Sequence, residues 1–148
     1  MYPFLDYKVH HVMVRDVITI APDQPLSALD ALFAQYDFNS IPVVDDGGTL
    51  CGVITKLDLL AAFRFDTAHM MPPYEEIMCR PVADGMTRDP LWVPPELPLT
   101  RVLQRMVEMR NKAFPVLDEE RLVGIIARED ILAALHRAAR GETPAGMN

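Results

Sequence analysis

Residues 9–45 reappear, shifted by 73 positions, as residues 82–118. The pairs Val9/Val82, Met13/Met86, Arg15/Arg88, Asp16/Asp89, Pro22/Pro95, Pro25/Pro98, Leu26/Leu99, Pro42/Pro115, Val43/Val116 and Asp45/Asp118 are identical. Past a turn in which "DGGT" is answered by the shorter "EER", the shift becomes 72. There Leu50/Leu122, Gly52/Gly124, Ile54/Ile126, Asp58/Asp130, Leu60/Leu132, Ala61/Ala133 and Ala62/Ala134 match. Seventeen identities in 51 aligned positions, with one indel confined to a turn, mark an internal duplication. A unit of about 55 residues cannot cover its own sheet well, whereas two units packed face to face about an approximate twofold axis can. Core burial therefore accounts for the repeat before any function is invoked.

Each copy reads as strand, helix, strand, strand, helix, an α+β unit. A short extended stretch ("DVITIAP", "DPLWVPP") runs to a helix start marked by Pro25-Leu26 or Pro98-Leu99. The first helix of copy one sets Leu26, Leu29, Phe33 and Tyr36 on one face, and copy two answers with Leu99, Val102, Met106 and Met109. Two β-branched strands follow, at residues 41–45 with 50–54 and at 114–118 with 122–126, each pair joined by a tight turn. The segments "KLDLLAAF" and "REDILAALHRAA" close the copies as helices. The expected division is a first domain at 1–65, a linker at 66–80 with a Pro-Pro break and a helical turn near its end, a second domain at 81–137, and a frayed tail at 138–148.

Half of the residues are apolar and 24% are charged, the balance of a folded protein rather than a disordered one. No apolar run approaches the roughly 20 residues of a membrane helix. The opening "MYPFLDYKVHHVM" lacks the layout of a secretory signal, so a cytoplasmic protein is expected. The net charge of −7 argues against nucleic acid as a partner. That charge is uneven: residues 1–75 hold 4 basic and 10 acidic side chains, and residues 76–148 hold 10 and 11. The second half is thus the expected home of anion contacts. Cys51 and Cys79 form no CxxC, and no structural disulfide is expected.

The combination of "h-P-V-h-D", a turn, "G-h-h-T-x-x-D" and an upstream Met followed by "Asp-h-h-x-h-x-Pro-x-x-Pro-Leu" resembles the cystathionine-β-synthase (CBS) domain. Two in tandem resemble a Bateman module, over about residues 9–135. The resemblance implies a regulatory fold that binds adenosine-type ligands such as AMP, ADP, ATP or S-adenosylmethionine in a cleft between copies, and that often dimerises into flat discs. It places ribose or phosphate contacts at Thr55 and Asp58 and a base pocket at Ile41 and Pro42. In copy two the matching positions are Asp130, Phe114 and Pro115. It also implies that a basic residue at Lys112, where copy one has Asn39, reaches ligand phosphate, with Arg128 a second candidate.

The residue chemistry agrees. One carboxylate accepts hydrogen bonds from both hydroxyls of a ribose, and Asp58 falls in the first turn of a helix after a strand. The N–H groups of a helix start suit phosphate; Thr55 adds a hydroxyl and Lys56 a cation. Ile18, Ile20 and Ile41 offer an apolar slot for adenine. A second reading stands beside this one, because T-x-x-D at a helix start is also a capping box. In copy two Ala127 replaces the threonine while Asp130 remains, so unequal sites are expected. Lys112 and Arg128 read equally as solvated surface charges. Gly52 and Gly124 sit inside strands, where glycine admits close backbone approach, by a ligand or by the other copy's backbone, or serves packing.

His10 and His11 are read on opposite sides of a strand, and His69 and His136 lack partners at ligand spacing, so no metal site is expected. GxSxG, HExxH and GxxxxGK[ST] are absent. Met70, Met71 and Met78 make the linker a candidate apolar surface, hinge or packing element. The expected function is a non-enzymatic sensor that requires no cofactor. It takes an adenine nucleotide as regulatory ligand, forms a homodimer and signals to an unidentified protein target. The alternatives are a structural dimerisation module without ligand, and the regulatory part of a transporter or metabolic enzyme.

Overall fold

A computed structural model describes residues 3–64 and 73–144. In chain order its main elements are α1 (Val9–Val12), α2 (Leu26–Gln35), β1 (Ser40–Val44), β2 (Leu50–Thr55), α3 (Lys56–Ala61), α4 (Tyr74–Met78), β3 (Thr87–Arg88), α5 (Leu99–Met109), β4 (Ala113–Asp118), β5 (Arg121–Ala127) and α6 (Arg128–Ala139). The mixed helix and strand content agrees with the α+β reading.

The chain forms two compact units. A continuous unit comprises residues 18–90, and a split unit comprises residues 1–17 with 91–148. The repeat boundaries and the compact units therefore do not coincide, and strand pairing gives the reason. In the continuous unit β1 and β2 form the expected hairpin, and β3 then adds to β2 antiparallel, pairing Gly52 with Arg88 and Val53 with Thr87. By sequence β3 belongs to the second repeat. In the split unit β4 and β5 form the hairpin, and Val14 of the first repeat pairs with Ile125 through two N–H···O bonds of 2.9 Å. Each sheet is finished by the segment that opens the other repeat.

The two strand glycines make this addition fit. A Cβ on Gly52 would stand 2.4 Å from the Thr87 carbonyl oxygen, and one on Gly124 would stand 2.9 Å from that of Val14 and 2.7 Å from Met13 Sδ. Real Cβ atoms do not approach backbone so closely, so glycine alone is admitted. Of the roles open to these glycines in the sequence, the structure selects close approach by backbone of the other repeat.

The leading strands are shorter than expected. Ile20 makes one parallel bridge, its N–H donating to Pro42 O at 3.1 Å and its carbonyl accepting from Val44 N–H at 3.0 Å. Val93 repeats this with Pro115 O and Leu117 N–H at 3.0 and 3.1 Å. In a parallel ladder the next donors would be residues 22 and 95. Both are prolines without an N–H, so the ladder stops.

Each unit has its own core. Ile20, Leu26, Leu29, Ile41, Val43 and Ile54 pack with Ile77, Met78 and Val82 in the continuous unit. Leu99, Val102, Met106, Phe114, Val116 and Ile126 pack with Phe4, Tyr7 and Val9 in the split unit. The predicted helix faces hold except at their ends. Tyr36 falls one residue past α2 and stacks on Phe38 with ring centroids 5.3 Å apart. Met109 ends α5 with 52% of its surface exposed, because Arg110 turns left-handed at φ 56° and leads the chain away. The linker's helical turn is α4, whose Ile77 and Met78 are buried; Met70, Met71 and His69 lie outside the described residues. The start of the tail is fastened, since Tyr7 Oη donates to Glu142 O at 3.0 Å. His10 and His11 are corrected from strand to helix: both lie in α1, with ring centroids 4.1 Å apart. That single helical turn is set by hydrogen bonds to the second repeat's Pro95 and Leu97 carbonyls, which no local pattern encodes.

Gly52→Ala and Gly124→Ala should each lower stability by about 1–3 kcal/mol, the usual cost of overpacking. Gly47→Ala, whose Cβ would meet only Asp45 Oδ1 at 3.4 Å, should be near neutral. Urea unfolding midpoints of the three variants check the ordering.

Candidate functional site

At the end of the β1–β2 hairpin, Ser40 faces Thr55 across the ladder, and Lys56 N–H donates to Asn39 O at 3.1 Å. Thr55 is extended, at φ −112° and ψ 167°, and caps α3. Its Oγ1 accepts from Asp58 N–H at 3.0 Å, while Asp58 Oδ2 accepts from Thr55 N–H at 2.8 Å. The capping box is closed in both directions, so the T-x-x-D motif has a structural role here. Asp58 is nonetheless half-buried rather than sealed, and Oδ1 stands outside the box.

Asp58 also lines a cavity of about 410 Å3 within the continuous unit. One face of α3 and its C-cap supplies Asp58, Ala61 and Ala62, since residues three and four apart share a helix face. Leu26 adds an apolar wall, and Arg64, Arg80 and Asp84 add charge. The sequence reading missed Arg64 and Arg80. Neither belongs to a spaced motif, and the one available signal was an arginine at position 64 in a half of the chain with only 4 basic residues.

The other expected contacts of copy one lie around the same hairpin. Ile41 is fully buried and Ile20 is 6% exposed, so their side chains belong to the core; Pro42 is buried with its carbonyl bonded to Ile20 N–H. Ile18 is half-buried, and Asn39 and Lys56 are exposed. Lys56 Nζ sits 5.8 Å from the centroid of the Phe33 ring, a cation–π contact.

Copy two repeats this frame with less polar chemistry. Ala113 faces Ala127, and Arg128 N–H donates to Lys112 O at 3.1 Å. Asp130 Oδ2 accepts from Ala127 N–H at 2.8 Å, but Ala127 has no hydroxyl to return the bond, so half a capping box remains. Burial pushes the Asp130 carboxyl above its ordinary range; the Ala127 N–H pulls the other way, and neighbouring Glu129 adds to the rise. The Arg128 guanidinium is engaged at the end of α5, donating to Asn111 O at 3.0 Å and Arg110 O at 3.1 Å. Phe114 is 1% exposed in the core, Pro115 is buried beside it, and Lys112 is exposed. A cavity of about 280 Å3 in the split unit is mostly apolar; Arg128 lines it and Asp130 does not. The two helix starts thus differ in side-chain chemistry.

Among the described residues no group of three or more His, Cys, Asp or Glu could hold a metal ion. Cys51 and Cys79 are free thiols. No helix among the described residues is long and apolar enough to cross a membrane.

The family profile of the CBS domain matches residues 9–64 and again residues 76–137. The chain belongs to the CBS domain family. Its tandem CBS domains align with CBSX2 from Arabidopsis thaliana, a CBS-pair protein, with a TM-score of 0.79 at 26% identity, covering 90% of this chain and 97% of that one. A structure of CBSX2 in complex with AMP aligns with a TM-score of 0.77 at 26% identity, covering 90% and 99%. By sequence, the CBS pair is 31% identical over 126 residues to the inosine-5'-monophosphate dehydrogenase of Methanocaldococcus jannaschii. That match takes in 84% of this chain but 23% of the dehydrogenase. It is 27% identical over 123 residues to the CBS domain-containing protein YhcV of Bacillus subtilis, covering 83% of this chain and 81% of YhcV.

Thr55→Ala removes a cap acceptor and should cost about 0.5–2 kcal/mol, and Ala127→Thr, which completes the second box, should gain a similar amount. Thermal unfolding of both variants reads the two signs. Because the folded state raises the Asp130 pKa above its ordinary 3.8, this group favours folding below that value. Its contribution is lost as pH rises through the raised value. Asp130→Asn should flatten this acid-side slope while still accepting from Ala127 N–H, as urea midpoints across pH 3 to 6 would register.

Proposed function

We propose that this CBS pair is a cytoplasmic, non-enzymatic regulatory module that binds an adenine nucleotide and passes the occupancy of its site to a protein target. The observation that carries the reading is the placement of Asp58: half-buried, held by the Thr55 box, and lining a cavity that Arg64 and Arg80 also line. The AMP complex of CBSX2 supports the ligand class.

In the proposed complex, Asp58 Oδ1 accepts the ribose hydroxyls. The capping box prepays the ordering of that side chain, so little rotamer entropy is lost on binding. Thr55, Lys56 and Asn39 frame the hairpin end, and the Ile18, Ile20, Ile41 and Pro42 segment supports it from the core and its margin. In the second domain Asp130 plays the ribose role, with Lys112 and Arg128 as the cations and Phe114 and Pro115 as the supporting wall. The missing hydroxyl at Ala127 and the engagement of Arg128 with the α5 carbonyls make this the weaker site. Signalling follows from differential affinity: a ligand shifts the module only toward the arrangement, or the homodimer geometry, that it binds better.

A second reading is the regulatory part of a metabolic enzyme. It is favoured by the sequence match to 23% of the length of a dehydrogenase.

Calorimetric titration with AMP, ADP, ATP and S-adenosylmethionine tests the proposal. Asp58→Asn retains an acceptor for Thr55 N–H and so keeps the fold, but loses the charge. It should weaken binding by about 1–3 kcal/mol, the range for a charge-assisted bond. Asp130→Asn should weaken it less. Absence of binding by any of the four ligands, or equal affinity in Asp58→Asn, would overturn the assignment.

A further inference from the structure

The continuous unit is strongly acidic. Residues 18–90 carry 4 basic side chains, Lys56, Arg64, Arg80 and Arg88, against 11 acidic ones. Two of those four cations line the same cavity as Asp58. They arrive there from separate places, Arg64 just past the end of α3 and Arg80 just past the end of α4. Among the described residues neither forms an ion pair, although Asp58 and Asp84 line the same cavity. The backbone of Arg80 is fixed, its carbonyl accepting from Leu26 N–H at 2.9 Å at the head of α2. An arginine in an acidic unit ordinarily finds a carboxylate. Two that share a cavity with two carboxylates, and pair with neither, are placed for an anion supplied from outside.

We infer that Arg64 and Arg80 form the phosphate-recognising side of the Asp58 cavity, so that this site selects a phosphorylated adenine nucleoside over an uncharged or cationic adenosyl compound. The inference rests on the reading of Asp58 as a ribose contact and adds the charge class of its ligand. The chemistry divides the cavity in two. Asp58 takes neutral hydroxyl donors, and the guanidinium pair takes phosphate oxygens through paired N–H donors. The acidic remainder of the unit repels anions elsewhere, which confines the attraction to this mouth. S-adenosylmethionine, with its sulfonium charge, meets like charge at the same place.

The test titrates AMP, adenosine, S-adenosylmethionine and inorganic phosphate into the full chain, its Arg64→Ala/Arg80→Ala double variant and an Ala61→Phe variant that narrows the cavity without altering charge. In the unaltered chain AMP should bind at least tenfold more tightly than adenosine, and inorganic phosphate alone should bind weakly. In the double variant that preference should fall to within about twofold while adenosine affinity holds. Ala61→Phe should weaken AMP and adenosine together, with unfolding midpoints confirming that each variant folds. Equal affinity for AMP and adenosine in the unaltered chain, or an AMP preference that survives loss of both arginines, overturns the phosphate assignment and leaves the adenosine-binding reading intact. Failure of AMP, adenosine and S-adenosylmethionine alike to bind overturns both.

Discussion

Two backbone carbonyl oxygens stand 2.4 and 2.9 Å from where two β-carbons would be. At Gly52 the Thr87 oxygen, and at Gly124 the Val14 oxygen, come close enough that any side chain would push the added segment off the sheet. Much else follows from that contact. It lets β3 complete the β1–β2 sheet and lets Val14 complete the β4–β5 sheet. It thereby decides that residues 1–17 belong with residues 91–148 and that residues 81–90 belong with the first repeat. The hairpins, cores and helix starts of each unit are built on sheets that those added segments finish.

The same frame is built twice with different side-chain chemistry. In both, the hairpin ends opposite the start of a helix, a backbone N–H three residues before the third helical position meets a carboxylate, and a core residue and a proline back the strand. Only the side chains differ. Thr55 closes its box and fixes Asp58 from both directions, whereas Ala127 leaves Asp130 with one bond in a drier setting. Lys56 lies over an aromatic ring, whereas Arg128 is anchored to the carbonyls at the end of α5. Duplication supplied the scaffold twice, and substitution of a few letters separated the chemistry.

How much of this the sequence disclosed can be argued residue by residue. The hairpins were legible because β-branched runs flank tight turns, the first of them rich in Asp and Gly, and the helices because Leu26, Leu29, Leu99, Val102 and Met106 recur at helical spacing. The capping role of Thr55 and Asp58 was legible because it is local, spanning four residues. The pairing of Val14 with Ile125 was not. The copies are so alike that the segment at residue 14 suits either sheet by hydrophobicity, and nothing within a few residues of it names the partner. Arg64 and Arg80 were hidden for a similar reason: 16 positions apart, they meet at one cavity only through tertiary packing. The leading strands are shorter than their β-branched content implies, because that content speaks of conformation, while Pro22 and Pro95 govern whether a ladder can continue.

The split unit carries a timing constraint. Ile125 follows Val14 by 111 positions, so on a chain emerging from the ribosome the segment around Val14 waits without its sheet. The 73 residues of the continuous unit can meanwhile assemble a complete core from their own strands. Closing so long a loop adds entropy slowly with length but delays the contact that rewards it. The split unit therefore cannot finish its sheet until a strand 111 positions further along the chain has emerged.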